Sequence, residues 1–419
     1  MRVTEATEAA RGEAIIGRCR EIAACSDVAG EITRTFLSPA TRQVHALISE
    51  WMKRAGMSVE IDAVGNLRGV YPGSAADSPR LILGSHVDTV PNAGAFDGVL
   101  GVVLGIALVE ELQGRRLPFA IEVVGFSEEE GVRFSKPFLG SMALTGTLDS
   151  EMLQLTDAQG VSVAEAIRGF GLDPAQIAGA VVSSVAFGYL EMHIEQGPVL
   201  ESVGRSLGVV DAIVGQTRGR VEFTGKANHA GTTPMGLRHD ALAAAAAWIV
   251  AVEKIASTRD GLVATVGKIA AMPGASNVIP GSVAATLDVR HADDAVRAAA
   301  VKEILLEGQR AGERRGVAFS WTQTLDQKAV PMDRGLAELL ETAARRASAE
   351  PMRMVSGAGH DAMIVAKKVP SCMLFLRSPG GLSHHPDEAV LAGDVDTAIA
   401  TGMEFLRLLG ERYGVNHEA

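Results

Sequence analysis

Short apolar runs alternate with longer segments of helical pattern in the first part of the chain. The runs RLILGSH (80–86) and FAIEVVGFS (119–127) have the length and composition of buried β-strands. Between them, GVLGVVLGIALVEELQG (98–114) has the length of a helix and an apolar surface. This order predicts an α/β domain with a mainly parallel central sheet, whose functional residues lie just past the strand ends.

From about residue 213 to residue 328, β segments are set against two helical segments. The strand-like segments are RGRVEFTGKA, LVATVGKIA and SVAATLDVRHAD. The helical segments are LRHDALAAAAAWIVAVEKIA and DAVRAAAVKEILLEGQRAG. Helices and strands grouped in this way predict a separate, smaller α+β domain.

The α/β pattern returns after QKAVPMD. A helix is predicted near 333–348, a strand at SCMLFLRS and a last helix at about 393–412. The simplest arrangement is one α/β domain formed by residues 1–212 and 329–419, with the α+β domain at 213–328 inserted into it.

Composition and charge exclude several classes of protein. The chain of 419 residues has 47% hydrophobic and 21% charged residues, as globular proteins do. Its net charge of −11 argues against nucleic acid or an anionic membrane as the main partner. No signal peptide is expected at the start, and AALAAAAAWIVAV is too short to span a bilayer. The three cysteines include no CxxC pair, so we expect a reducing cytoplasm and no disulfides.

Four of the ten histidines stand in polar, glycine-punctuated contexts at the ends of apolar runs. They are His86 in LGSHVDTV, His193 in LEMHIEQGP, His229 in KANHAGTTPM and His384 in GGLSHHPDE. One such histidine is typical of an exposed or hydrogen-bonded residue, but four in an acidic chain indicate metal binding or catalysis.

Two aspartates stand near the first of these histidines. Asp88 follows His86 by two positions, so both side chains leave one face of a strand and the carboxylate can reach the second imidazole nitrogen. Asp97 in AGAFDGVLG directly precedes a predicted helix. It is therefore either an N-cap or a metal ligand, and the two roles need not exclude each other.

Three adjacent acids, Glu128, Glu129 and Glu130, follow the second apolar run in FSEEEGVRF. Strict strand alternation would separate Glu129 from its two neighbours, whereas a strand that ends at Ser127 lets neighbours face a common centre. A solvated acidic turn is one interpretation. The other is a divalent cation, because burying even two of these anions requires compensating positive charge.

Together these segments resemble a known family. GSHVDTV, AGAFDGVLG, FSEEEGVRF, MHIEQGP, NHAGTTPM, SNVIPG with LDVRH, SGAGHDA and GLSHHP occur in this order over roughly residues 80–390. They resemble the amidases of the hydantoinase/carbamoylase branch of the M20 metallopeptidase superfamily, and DTVPNAG and GFSEEEGVRF are most like its allantoate amidohydrolases. The resemblance implies a zinc-exopeptidase-like catalytic domain and an inserted, ferredoxin-like lid and dimerisation domain, with a hinge near 211–215 and 327–331.

The resemblance also implies a centre of two divalent metal ions. Its ligands fall on His86, Asp97, Glu130, His193 and His384, with Asp97 bridging the ions, although His385 leaves the choice of the last histidine open. Glu129 falls on the general base, and Glu128 has no implied role. Nitrogen and oxygen ligands suit several metals, of which Mn²⁺ and Zn²⁺ are the first expectations and Co²⁺ and Ni²⁺ the next.

Residues of the inserted domain would contact the substrate. By resemblance, His229 stabilises the developing oxyanion, Arg290 in LDVRH holds a carboxylate, and Asn277 contacts the same end of the substrate. Gln196, Gln216 and the backbone around Gly359 are further implied contacts. The alternatives are an ion pair of Arg290 with Asp288 or Asp293, and a turn at Asn277.

The implied reaction is hydrolysis of a ureido C–N bond in a small substrate that carries a carboxylate. Allantoate, giving ureidoglycine (or ureidoglycolate), ammonia and CO₂, is the first expectation, and N-carbamoyl-L-amino acids or N-carbamoyl-β-alanine are the alternatives. A peptidase is disfavoured because relatives of that kind often have an acidic ligand in place of His193. A non-catalytic metal-stabilised binding protein is disfavoured because ligands and base are all present, and a nucleotide-dependent oxidoreductase because no GxGxxG joins a strand to a helix.

Overall fold

A computed structural model of the chain describes the backbone of residues 2–183 and 185–414 and the side chains of 11–183 and 185–413. Residues 1, 184 and 415–419, which the predicted first domain includes, lie outside the described part. The chain divides into two compact units, Met1–Asp211 with Met332–Ala419, and Ala212–Pro331. The predicted inserted domain began at residue 213 and ended at residue 328.

The helices and strands are numbered in chain order. The first segment contains α1 (Arg2–Ala23), α2 (Pro39–Arg54), β1 (Ser58–Ile61), β2 (Leu67–Tyr71), β3 (Arg80–His86), α3 (Val99–Glu111), β4 (Ala120–Phe126), α4 (Leu139–Thr145), α5 (Val163–Gly169), β5 (Ala186–Ile194), α6 (Val199–Ser202) and β6 (Leu207–Ile213). The second contains β7 (Gly215–Thr224), β8 (Asn228–His229), α7 (Ala241–Ser257), β9 (Val263–Thr265), β10 (Ile269–Met272), β11 (Val278–Ile279), β12 (Ser282–His291), α8 (Asp294–Glu313), β13 (Ala318–Gln327) and β14 (Val330–Pro331). The last contains α9 (Arg334–Arg346), β15 (Met352–Ser356), α10 (Ala362–Val365), β16 (Ser371–Leu376) and α11 (Ala392–Gly414).

The first unit is built on a mixed sheet with parallel strands at its centre. Its order is β1-β2-β4-β3-β5-β16-β6, and β15 also pairs with β6. The pairs β4–β3, β3–β5 and β5–β16 are parallel, whereas β1, β2 and β6 run antiparallel to their neighbours. The carboxyl ends of β4, β3, β5 and β16 therefore meet at one edge, which is where sheets of this kind bind ligands.

The helix α3 lies against the centre of this sheet and explains its apolar composition. Every residue from Val99 to Val109 is buried, so the helix is apolar on all sides rather than along one stripe. It packs on the parallel strands β3, β4 and β5 from one side and contacts the outer helices α1 and α11 from the other. The predicted mainly parallel α/β sheet is confirmed.

The second unit is a smaller antiparallel sheet with two helices. The sheet has the order β10-β12-β7-β13, with β9 also paired to β12. The four strands of this order and the two helices follow along the chain as β7-α7-β10-β12-α8-β13, which is the βαββαβ order of a ferredoxin-like fold. Alternate residues of β7, such as Val221 and Phe223, are buried, and Phe223 lies beside Trp248 of α7. The predicted segments RGRVEFTGKA and SVAATLDVRHAD overlap β7 and β12, whereas LVATVGKIA spans parts of both β9 and β10, and β13 was not predicted.

No helix in the described ranges 2–183 and 185–414 combines the length and the apolar composition that crossing a membrane requires.

Candidate metal centre

Polar side chains collect where the parallel strands of the first unit end. His86 is the last residue of β3, and His193 lies one residue before the end of β5. Glu129 and Glu130 follow β4, which ends at Phe126. Because these strands are parallel and adjacent, their carboxyl ends bring the four side chains to a common place.

Asp97 stands at the centre of this group, and its two oxygens face different partners. Its Oδ1 lies 3.2 Å from Nε2 of His193 and 3.7 Å from Nε2 of His86. Its Oδ2 lies 3.2 Å from Nε2 of His384, which is itself 3.5 Å from Oε1 of Glu130. The carboxylate therefore joins two clusters of potential ligands, one of His86, Asp97 and His193 and the other of Asp97, Glu130 and His384. Within each cluster, the ligand atoms lie within 4.8 Å of one another.

The two buried histidines have their tautomers set by backbone carbonyls. Nδ1 of His86 lies 3.0 Å from the carbonyl oxygen of Asp88, and Nδ1 of His193 lies 2.9 Å from that of Ile194. When each Nδ1–H donates to a carbonyl, each Nε2 keeps a lone pair directed at Asp97. Burial lowers the pKa of His193 to about 4, so its imidazole is neutral, which is the form that coordinates metal ions.

Asp88 acts differently from the sequence-based expectation. Its carboxylate oxygen Oδ1 lies 3.4 Å from Nδ1 of His86, farther away than its own backbone carbonyl. The carboxylate instead accepts hydrogen bonds from the backbone N–H groups of Glu129 (3.0 Å) and Glu130 (3.1 Å). Asp88 thereby fixes the turn after β4 and directs two adjacent glutamates to the same side.

The donor set fits divalent cations. Burial raises the pKa of Glu130 to about 7 and that of Glu129 well above its usual range, because the ionised forms lack compensating positive charge. Burial works in the same direction at Asp97, but the adjacent His384, His86 and His193 imidazoles hold the pKa of that carboxyl well below its usual range. Buried carboxylates beside imidazole nitrogens suit ions such as Zn²⁺, Mn²⁺, Co²⁺ and Ni²⁺.

Two alternative interpretations of these residues are wrong. The N-cap of α3 is Gly98, and the side chain of Asp97 faces the histidines instead of capping the helix. The three-glutamate run is not a solvated turn, since Glu128 and Glu129 are buried. Glu128 belongs to none of the ligand clusters found among the described residues, and burial raises its pKa well above the usual range.

Gly98 leaves room for the imidazole of His86. A Cβ atom at this position would lie 2.4 Å from Nε2 of His86, and the backbone there has φ +68°. A side chain at residue 98 would therefore both strain the backbone and displace the imidazole from its position beside Asp97.

We expect Gly98→Ala to lower the free energy of unfolding by roughly 1–3 kcal/mol and to weaken binding of Mn²⁺ as well. Gly114→Ala is the matched control, because Gly114 has φ +82° and no atom within 4 Å of its added Cβ. Denaturant unfolding and calorimetric titration with Mn²⁺ measure the two effects. Equal Mn²⁺ affinities in the two variants would contradict the contact with His86.

Comparisons with known proteins identify the family of the chain. The sequence model that describes peptidase family M20/M25/M40 matches residues 82–409 of this chain. The chain belongs to this family.

Among curated M20-type relatives, allantoate deiminase 2 of Glycine max is 38% identical over 95% of this chain and 89% of its own length. The N-carbamoyl-L-amino acid amidohydrolase of Geobacillus stearothermophilus is 38% identical over 86% of this chain and 88% of its own. The crystal structure of an amidase of the hydantoinase/carbamoylase family from Burkholderia multivorans has a TM-score of 0.89 at 31% identity, over 94% of this chain and 97% of that one.

Two predicted substrate contacts of this M20 family member lie beside the centre. Nε2 of Gln196 is 3.1 Å from each carboxylate oxygen of Asp97. Gly359 lies against Phe138 and Glu129, since a Cβ at Gly359 would be 2.9 Å from the Phe138 ring and 3.9 Å from Oε1 of Glu129. A side chain at residue 359 would therefore press on the Phe138 ring, close to the predicted base.

Of the two adjacent histidines, the structure places His384 at the centre. The imidazole of His385 is half exposed, and its Nδ1 accepts a hydrogen bond from the backbone N–H of Asp387 (3.1 Å). His384 has φ +54°, a left-handed conformation that turns its side chain towards Asp97 and Glu130.

The other predicted residues lie in the second unit, in two pairs. Arg290 of β12 stands opposite Gln216 of β7, and its guanidinium binds both carboxylate oxygens of Asp288 at 3.0 and 2.9 Å. The ion pair with Asp288 is thus present. Asn277 accepts a backbone hydrogen bond from Ala230 (2.9 Å), next to His229.

The tautomer of His229 is also set by the backbone. This exposed imidazole accepts hydrogen bonds at Nδ1 from the N–H groups of Gly231 (3.0 Å) and Thr232 (3.2 Å). The proton is therefore on Nε2, which points away from that loop as a donor.

The sequence did not single out two other residues near the centre. Arg34 is fully buried, and its Nε donates to the carbonyl of Val87 (2.6 Å), directly after His86. His360 packs edge-to-face on His193 with ring centroids 4.5 Å apart, and its Nε2 lies 2.9 Å from Oγ of Ser356. SGAGHDA could have indicated His360, whereas no local pattern distinguishes Arg34 from a surface arginine.

Proposed function

We propose that this protein is a dinuclear metal-dependent hydrolase that cleaves a ureido C–N bond, with allantoate as its substrate. Hydrolysis would convert allantoate and water to ureidoglycine, ammonia and CO₂, and reaction of ureidoglycine with a second water would release a second ammonia and give ureidoglycolate. The observation that carries the proposal is the position of Asp97, whose two oxygens face two separate ligand clusters. The similarity to allantoate deiminases supports the substrate, and that to N-carbamoyl-L-amino-acid amidohydrolases keeps a second ureido substrate as the alternative.

Five side chains would hold the two ions. His86 and His193 would bind one, Glu130 and His384 the other, and Asp97 both. When bound, ions of this type supply Lewis acidity, which acidifies the attacking water and polarises the ureido carbonyl. Mn²⁺ and Zn²⁺ are the metals that we propose first.

Glu129 would move the proton. It is buried, its carboxylate forms a cluster of potential ligands with His86 and Glu130, and its backbone is held by Asp88. As a base, its carboxylate accepts the proton of the attacking water and then donates it to the leaving nitrogen. The leaving nitrogen departs as a neutral amine only after it has received this proton. Glu129 would therefore act as the base when water attacks and as the acid when the C–N bond breaks.

The substrate carboxylate requires a cation, and Arg290 supplies the planar fork that suits it. Asp288 already orients this guanidinium from one side. We propose that Gln216 and Asn277 contact the same end of the substrate, and that Gln196 and the backbone at Gly359 contact the end near the metals. His229 would donate from Nε2 to the oxyanion; a donor of this kind typically contributes ~3 kcal/mol.

We also propose that the second unit is a lid and dimerisation domain of a cytoplasmic homodimer. Support comes from β10, the last strand of its sheet, where Ile269 and Met272 are 47% and 61% exposed. Exposed apolar residues on an edge strand favour pairing with another chain.

Ammonia release tests the proposed reaction. The purified protein, loaded with Mn²⁺ or Zn²⁺, is assayed on allantoate, several N-carbamoyl-L-amino acids and N-carbamoyl-β-alanine, before and after removal of metal with a chelator. We expect the highest kcat/KM with allantoate, loss of activity on chelation and recovery when the metal is restored. Ammonia release that survives complete metal removal would contradict the mechanism. A higher kcat/KM with an N-carbamoyl-L-amino acid would show that this compound, and not allantoate, is the substrate.

A further inference from the structure

Glu388 connects the two chain segments that carry Asp97 and His384. It lies four positions after His384 and is 5% exposed despite its charge. Its Oε1 accepts hydrogen bonds from the backbone N–H groups of Phe96 and Asp97, both at 2.9 Å. The carboxylate therefore holds the backbone of the residue that would bridge the two ions.

The other carboxylate oxygen closes a ring of contacts through Ser383. Oε2 of Glu388 lies 3.2 Å from Oγ of Ser383, and the same Oγ lies 3.1 Å from Oδ2 of Asp97. Asp97 is thus held at its backbone by Glu388 and at its side chain by Ser383. The oxygen contacted by Ser383 is the one that faces His384.

Close packing keeps the Glu388 side chain in one place. A Cβ atom at Gly94 would lie 2.3 Å from Cβ of Glu388 and 2.6 Å from its Oε1. The backbone of the Gly94–Asp97 segment thus covers the carboxylate directly, and few rotamers remain open to it.

We propose that Glu388 is a positioning residue that sets the orientation of the Asp97 carboxylate relative to His384, and thereby the geometry of both metal sites. This inference rests on the proposed dinuclear centre. Glu388 itself contacts neither the other ligands of the clusters nor the base, so it acts through Asp97. Partners that orient a ligand in this way typically change metal affinity 10–100-fold when they are removed.

Two substitutions separate positioning from simple loss of charge. Glu388→Ala removes every contact with the Asp97 segment. Glu388→Gln keeps an oxygen for the two backbone N–H groups, and its amide N–H can donate to Oγ of Ser383, whose hydroxyl then donates to Asp97. Gln should therefore preserve the ring of contacts, although it removes a negative charge.

The matched control is Asp157→Ala. Asp157 is also a buried carboxylate that accepts two backbone hydrogen bonds, from Gln159 (3.0 Å) and Val161 (2.9 Å), and it pairs with Arg133 (2.9 Å), but it belongs to none of the ligand clusters. The variant Asp157→Ala therefore shows how much the loss of a carboxylate that binds backbone N–H groups changes metal binding and thermal unfolding when the carboxylate is not next to Asp97.

The test uses the full-length protein and three measurements: calorimetric titration with Mn²⁺, the visible absorption spectrum with Co²⁺, and thermal unfolding of the metal-free form. We expect Glu388→Ala to weaken Mn²⁺ binding by about 10–100-fold and to alter the Co²⁺ spectrum. Glu388→Gln should resemble the wild type in Mn²⁺ affinity and in the Co²⁺ spectrum. Asp157→Ala should change only thermal unfolding.

A Co²⁺ spectrum and Mn²⁺ affinity in Glu388→Ala equal to those of Asp157→Ala would overturn the inference. If Glu388→Ala does not fold, Ser383→Ala tests the same ring, and an unchanged Co²⁺ spectrum in that variant would overturn it as well. A wild-type protein that binds two ions but hydrolyses no ureido compound would contradict the proposed function, while the effect of Glu388 on metal binding would still be measured.

Discussion

Glu129→Gln should retain both metal ions and lose ureido hydrolysis by about 10²–10⁴-fold in kcat, because the amide cannot accept the proton of the attacking water. The substitution preserves shape, and the backbone N–H of residue 129 still donates to Asp88. Elemental analysis of the metals and the rate of ammonia release measure the two properties separately.

The neighbouring Glu128 provides the control for this experiment. It is also buried but belongs to no ligand cluster among the described residues, so Glu128→Gln should keep both the metals and most of the activity. Wild-type turnover in Glu129→Gln with full metal content would show that Glu129 is not the base. Loss of metal from Glu129→Gln would instead make it a ligand.

His384→Asn should lose one of the two ions and bring ammonia release down to the level of the chelated protein. Asn is chosen because His384 has φ +54°, a conformation that Asn tolerates better than most residues. The substitution therefore removes the imidazole near Asp97 and Glu130 without adding much backbone strain.

His385→Asn is the matched variant, since this imidazole belongs to none of the ligand clusters among the described residues and receives a backbone hydrogen bond from Asp387. It should bind two ions per chain and hydrolyse the substrate at nearly the wild-type rate. The reverse pattern, with metal loss only in His385→Asn, would contradict the geometry at Asp97. Metal stoichiometry of the two purified variants decides between them.

The regular elements were predictable because their patterns are local. The strand predicted at 80–86 is β3, and the helix predicted at 98–114 is α3, which spans Val99–Glu111. The helix ends three residues early because Gln113 and Gly114 have φ of 49° and 82°, which its apolar composition did not indicate. Its start follows from Gly98, whose positive φ is incompatible with helix.

The candidate centre was only partly predictable from the residues themselves. Spacing alone left Asp97 as an N-cap or a ligand, and the resemblance to the M20 amidases was needed to group it with His193 and His384. The structure excludes the N-cap and shows why Glu129 and Glu130 face the same way, since Asp88 binds both of their N–H groups. Glu388 was missed because Phe96 and Asp97, whose backbone it binds, lie more than 290 positions away.

The sequence by itself determined the two kinds of fold and which residue types stand at the strand ends, because hydrophobic periodicity acts over a few neighbouring residues. Only the tertiary structure decided which of these side chains meet. Asp97 contacts His193 and His384 through the parallel pairing of distant strands and through a loop held by Glu388. Contacts of that kind depend on chain packing over long sequence distances, which no local pattern encodes.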